Sequence, residues 1–255
     1  MGHLIGIIGA PFTGKTTSAC TFPKPLTYFG FDSGGITAAR NAKDKSGNLI
    51  VSEAEKIEVI DFTKTEISNL NFMTAEKADF AKGTVKDYTK GSIELMGKYN
   101  AEIHKILEKK PQTLVIDSIT TIFRIWKEAI MATNKIPALR IADYGTLEGI
   151  LFGQFLPTLR TLSTTIPWVI CIGHETADKD ELMGSISEFP IGPSANMGRL
   201  LAREFDEVWR QKVEGDTYLW RTKAHGLFVG AGSRFSLPDP VKPATFQELS
   251  KHIKL

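Results

Sequence analysis

Gly9-Ala10-Pro11-Phe12-Thr13-Gly14-Lys15-Thr16-Thr17 matches the pattern G-x-x-x-x-G-K-[ST] at every fixed position. Before it, His3-Leu4-Ile5-Gly6-Ile7-Ile8 is an apolar run of the kind a buried parallel strand needs, and after it Thr16-Thr17-Ser18-Ala19-Cys20 is able to open a helix. Strand, glycine loop and helix therefore come in the order of a phosphate-binding P-loop. The chemistry follows from that order: Gly9 and Gly14 let the backbone curl until several N–H groups face one anion at the positive end of a helix. In such a loop Lys15 reaches the β- and γ-phosphates of a triphosphate and the Thr16 hydroxyl ligates Mg²⁺. Each residue from Gly9 to Thr17 is thus a candidate nucleotide contact, and ATP with Mg²⁺ is the expected cofactor pair.

The composition sets the frame around this loop. A chain of 255 residues, 42% hydrophobic and 24% charged, has the length and balance of one large α/β domain, expected to span 1–255. The net charge of +2 neither demands nor excludes a nucleic-acid partner, because a basic groove can sit on a balanced surface. Cys20 and Cys171 both lie in apolar segments, which argues against a disulfide and for a reducing compartment. No apolar run approaches the ~18 residues of a membrane span, and the amino terminus lacks a basic region followed by a cleavable apolar stretch. The expected location is the cytoplasm, with no membrane partner.

In chain order, Leu26-Thr27-Tyr28-Phe29-Gly30-Phe31 reads as a strand closed by the polar turn Asp32-Ser33-Gly34-Gly35. In an open α/β sheet that edge is where ligands bind, so Asp32 is a candidate base for the water that attacks a γ-phosphate, or else a turn residue bonding its own backbone. Residues 56–62 alternate as a strand does, and 63–91 read as a variable, partly helical surface excursion. Ile93, Met96, Ile103, Ile106 and Leu107 fall at helical spacing. Thr113-Leu114-Val115-Ile116-Asp117-Ser118 is an apolar strand ending in an acid, which gives Asp117 either the Mg²⁺ or the helix that follows it, expected over 119–131, to cap. A further helix is expected over 146–164. Trp168-Val169-Ile170-Cys171-Ile172-Gly173 is a buried strand whose end carries His174-Glu175; His174 is placed to report on the γ-phosphate, and Glu175 competes with Asp32 as the activating carboxylate. Residues 176–196 read as a long mobile loop. Two alternating runs joined at Glu214-Gly215-Asp216 signal a terminal antiparallel hairpin, and 237–255 reads as an extended linker into a short helix.

This order of motifs, with Asp143-Tyr144-Gly145 before a helix, Ile172-Gly173-His174-Glu175 and Phe205-Asp206-Glu207-Val208, resembles the RecA-fold P-loop ATPases. More narrowly, it resembles the RecA-like single-strand annealing and recombination proteins of bacteriophages, reduced to the ATPase core. The resemblance covers nearly the whole chain and implies a mainly parallel central sheet flanked by helices. It implies ATP hydrolysis coupled to single-stranded DNA, self-association into a filament or ring, a single-stranded DNA-binding protein as a possible partner, and residence in the cytoplasm of an infected bacterium. It assigns Asp32 the catalytic carboxylate, Asp117 the metal and His174 the γ-phosphate sensor, with Lys223 and Arg234 as cations that reach a neighbouring subunit's nucleotide. The DNA-facing loops it implies are 134–145 and 176–196; around them Arg140, Lys179, Arg199 and Arg203 are candidate phosphate contacts, and Phe189 a residue to stack on a base. Two other readings compete: a nucleotide-dependent assembly or regulatory switch whose partner is a protein, and a metabolite kinase whose long loop is a lid.

Overall fold

The computed structural model describes residues 2–41, 57–63, 85–179, 186–190, 192–224 and 230–253. Its centre, among the described residues, is an eight-stranded sheet. The P-loop strand β1 (His3–Ile8) lies between β5 (Trp168–Gly173) and β8 (Glu207–Glu214), all parallel. Beyond β5 come β4 (Thr113–Asp117), β2 (Leu26–Gly30) and β3 (Ile57–Asp61), also parallel. Two antiparallel strands finish the other edge, β9 (Thr217–Arg221) and β10 (Gly232–Ser233). The expected fold class is present: a mainly parallel sheet flanked by helices, with an antiparallel hairpin near the carboxyl end.

Strand alternation builds two cores. Leu4, Ile8, Phe29, Ile116 and Val169 face one side of the sheet, under α3 (Val85–Lys109), α4 (Ile119–Thr133), α5 (Ile141–Ile150) and α6 (Leu156–Thr165). Ile5, Ile7, Tyr28, Val115 and Ile170 face the other, under α1 (Lys15–Ala19), α2 (Ser33–Arg40) and the carboxyl-terminal segment. Cys171 belongs to the first core and Cys20 to the second; both are free and buried, and burial pushes the Cys20 thiol up to about 12. No helix among the described residues is long and apolar enough to cross a membrane.

Several segments differ from expectation. The turn at Asp32 opens α2, because the Asp32 carboxylate accepts the Gly35 N–H at 2.8 Å and caps the first turn. Within the 63–91 excursion, 64–84 lie outside the described residues, and from Val85 onward the chain is already α3. The helix expected over 146–164 starts earlier: α5 begins at Ile141, capped by Arg140 and Asp143, and a π-helical turn at Leu151–Phe155 joins it to α6. The 134–145 stretch is therefore partly helix. The 176–196 loop is largely ordered as a hairpin of β6 (Glu175–Lys179) and β7 (Ile186–Pro190), followed by α7 (Ala195–Leu201); 180–185 and 191 lie outside the described residues.

The carboxyl-terminal linker is a packed part of the second core. Val241 bridges Trp220, Thr222 donates to the Pro238 carbonyl at 2.9 Å, and Leu237, Val241 and Ala244 are buried beside Trp209 and Trp220. A short helix, α8 (Phe246–Leu249), follows. Extended backbone here serves pairing and burial, which the prolines permit because they leave the paired Val241 N–H in place.

Candidate active site

Gly14, with φ of 81°, precedes α1 and turns the P-loop so that Lys15 and Thr16 open the helix. Lys15 is buried, and its Nζ donates to the carbonyls of Gly9 at 2.9 Å and Ala10 at 2.6 Å. Burial lowers its pKa, while the nearby carboxylates of Asp117, Glu175 and Asp32 pull in the opposite direction. The ammonium thus lies folded back across the mouth of the loop, bonded to carbonyls that an incoming phosphate can replace.

Thr16 Oγ1 donates to Asp117 Oδ2 at 2.6 Å, joining the P-loop helix to the end of β4. Tyr28 on β2 donates its hydroxyl to the same oxygen at 2.7 Å. Desolvation raises the Asp117 pKa, against the two hydroxyl donors and Lys15. A Cβ on Gly35 would stand 2.6 Å from the Tyr28 hydroxyl, 2.9 Å from Asp117 Oδ2 and 3.1 Å from Asp32 Oδ1, so the first turn of α2 closes tightly on this oxygen cluster. Among the described residues no three His, Cys, Asp or Glu side chains gather to hold a metal. A Thr hydroxyl beside one buried carboxylate fits Mg²⁺, which completes its shell with phosphate oxygens and water. Gly35→Ala is therefore expected to raise the Mg²⁺ concentration for half-maximal ATP hydrolysis by about 10–100-fold, through displacement of Tyr28 and Asp117. A metal titration unchanged from wild type would contradict this.

His174 follows β5, and its backbone N–H donates to Thr120 Oγ1 on the first turn of α4 at 3.0 Å. The Gly9 backbone beside its ring favours the charged form, and Nδ1 is buried without a hydrogen-bond partner. Desolvation, and then the Lys15 charge, hold the imidazole below its usual pKa, so it is neutral at pH 7. Glu175, one residue on, is taken up by cations. Arg210 on β8 donates to it from Nε at 2.7 Å and Nη2 at 3.0 Å, Lys212 lies 3.5 Å away, and Arg210 also pairs with Glu188 on β7.

The structure thus brings Lys15, Thr16, Asp32, Asp117, His174 and Glu175 to one edge of the sheet. It does not bring Lys223 or Arg234 there. Lys223 is exposed just past β9. Arg234 pairs with Asp206, whose carboxylate accepts the Leu4 N–H, at the end of β1 opposite the P-loop. Arg140 is engaged bidentately with Asp143 at 3.0 and 3.1 Å. Arg199 and Arg203 are exposed on α7 and the 3₁₀ turn after it, while Lys179 and Phe189 lie on the two strands of the β6–β7 hairpin. Sequence reading missed Tyr28 and Arg210. Tyr28 left one signal, a hydroxyl inside a largely apolar strand where it must find a partner, whereas Arg210 sits in a strand already rich in polar residues and left none.

A protein-family profile described as an AAA domain matches residues 2–235. Among solved structures, the chain is similar to the flagellar accessory protein FlaH from Methanocaldococcus jannaschii, at 12% identity and TM-score 0.43 over 94% of this chain and 84% of that one. It is also similar to a KaiC-like protein from Pyrococcus horikoshii OT3, at 13% identity and TM-score 0.41 over 86% and 78%. No curated protein matches the sequence.

Proposed function

The chain belongs to the AAA domain family, and we propose that its P-loop hydrolyses ATP with Mg²⁺ to control binding of single-stranded DNA in recombination or annealing. The observation that carries this reading is that the β6–β7 hairpin starts at Glu175, directly after His174, which lies beside the P-loop where the Gly9 N–H donates to the Gly173 carbonyl at 3.3 Å. A change at the γ-phosphate is one residue from the hairpin that carries Lys179 and Phe189. Phe189 is the base-stacking residue in this reading, and Arg140, Arg199 and Arg203 the phosphate contacts.

In the reaction, Lys15 exchanges its two carbonyl partners for phosphate oxygens, and Asp32 orients the attacking water. Thr16 and Asp117 would hold Mg²⁺, which when bound would supply neutralisation of phosphate charge. Neutral His174 senses the terminal phosphate with the ring nitrogen that lacks a partner. Lys223 and Arg234, on other edges, act on a neighbour's nucleotide in a filament or ring. A single-stranded DNA-binding protein in the cytoplasm of an infected bacterium is the loading partner this role calls for.

A second reading, a nucleotide-dependent switch with a protein partner, is favoured by Phe12, fully exposed in the P-loop, and Ile141, 93% exposed at the start of α5. Hydrolysis measured with and without single-stranded DNA over a salt series separates the two. DNA stimulation that falls with salt and vanishes in Lys15→Ala is the expected result; hydrolysis indifferent to DNA, with no binding at low salt, leaves the switch.

A further inference from the structure

The β8–β9 hairpin places an aromatic ring against the P-loop at the residue where the loop turns into α1. A Cβ added to Gly14 would lie 2.5 Å from Cε1, 2.6 Å from Cδ1 and 2.7 Å from Cζ of Tyr218. Gly14 is thus required twice, by its φ of 81° and by the ring pressed on its Cα. The ring is not sealed in: Tyr218 is 39% exposed, and its cross-strand partner Val213 is 44% exposed.

Sheet order says which end of a bound triphosphate faces this ring. Asp117 and Asp32 end β4 and follow β2, on one side of the P-loop strand, and Thr16 leans that way to reach Asp117. The metal and the reacting γ-phosphate belong on that side. β8 and β9 lie on the opposite side of β1. A phosphate chain laid from Asp117 across Lys15 and Gly14 leads its nucleoside end toward Tyr218.

We propose that Tyr218 is the stacking platform for the nucleobase of the triphosphate held by the P-loop, an inference that rests on reading that loop as a nucleotide site. Cε1, Cδ1 and Cζ are nearly equidistant from a Cβ added to Gly14, so Gly14 packs on one face of the ring, and the surface that stays exposed is the π surface offered to a base. The same contact couples base binding to the loop, because the ring that meets the base also abuts the residue whose turn aims Lys15.

The test compares MgATP with inorganic tripolyphosphate, which keeps the phosphate chain and lacks base and sugar, on wild type, Tyr218→Phe, Tyr218→Leu and Tyr218→Ala by calorimetry. Loss of a base stack is expected to raise the Kd for ATP about tenfold or more in Tyr218→Leu and Tyr218→Ala, with tripolyphosphate and Tyr218→Phe each within about twofold of wild type. Tripolyphosphate binding also reports that each variant is folded around an intact loop. ATP affinity unchanged in Tyr218→Leu overturns the proposal, as does an equal loss for both ligands, which makes the ring only a buttress for the loop. Wild type that binds neither ligand overturns the nucleotide reading itself, and this inference with it.

Discussion

Asp32→Asn is expected to lower kcat for ATP hydrolysis by about 10²–10⁴-fold, the range for loss of a positioned general base, with nucleotide affinity nearly unchanged. Two carboxylates compete for this role, and their surroundings separate them. Glu175 is held by a bidentate guanidinium at 2.7 and 3.0 Å with an ammonium at 3.5 Å, so the oxygens that would receive a proton from water are occupied by cations. Asp32 uses Oδ1 to cap α2 through the Gly35 N–H, and its charge is felt at both Lys15 and Asp117. Asparagine caps a helix about as well as aspartate, so the substitution removes the base while leaving α2 in place. Single-turnover hydrolysis beside a nucleotide-binding isotherm reads the two effects separately. If instead Glu175→Gln abolishes the chemical step and Asp32→Asn spares it, the assignment is reversed.

The difference between these two acids marks the limit of what the sequence discloses. Much that depends on consecutive residues was legible: the P-loop, the apolar strand ending at Asp117, the strand ending at Gly173 just before His174, and the hairpin turn at Gly215. Whatever depends on register between distant strands was not. Tyr28 reaches Asp117 because β2 and β4 align Gly30 with Asp117, and Arg210 reaches Glu175 because β8 runs beside β1 with Arg210 level with Ile8. Neither pairing leaves a local signature.

Helix starts were misread for a different reason. Gly34 and Gly35 are poor helix formers and read as a turn, yet the Asp32 cap and burial of Ile36 and Ala39 carry α2 through them. Asp143-Tyr144-Gly145 looks like a loop for the same reason, until the Arg140–Asp143 pair that closes its first turn is seen. The prolines near Val241 suggested a linker, but the extended conformation they favour is what lays Leu237 and Val241 on Trp209 and Trp220.

Arg210→Ala is expected to destabilise the protein by about 3–5 kcal/mol, the cost of leaving buried charges without their partner. The Arg210 side chain is 9% exposed, between Glu175 at 11% and Glu188 at 25%, and the two acids come from the two strands of the β6–β7 hairpin. Removing the guanidinium leaves both carboxylates without their shared partner, although Lys212 remains 3.5 Å from Glu175 and the Lys15 charge is also felt there. The origin of the loss is separable from simple loss of packing. Arg210→Met in a Glu175→Gln, Glu188→Gln background carries no stranded charge, so it should recover much of the stability that the single Arg210→Met variant loses. Urea unfolding of the set reads this directly; if the triple variant is no more stable than Arg210→Met, packing rather than charge sets the cost. The same clamp fixes how the hairpin follows the nucleotide. Arg210 stands level with Ile8, immediately before the P-loop, and grips the hairpin whose first residue follows His174, so one side chain ties both ends of the proposed signal to the sheet. A folded Arg210→Met triple variant should therefore keep basal ATP hydrolysis while losing its response to whatever binds the hairpin, and a full response in that variant would show that His174 transmits the signal without the clamp.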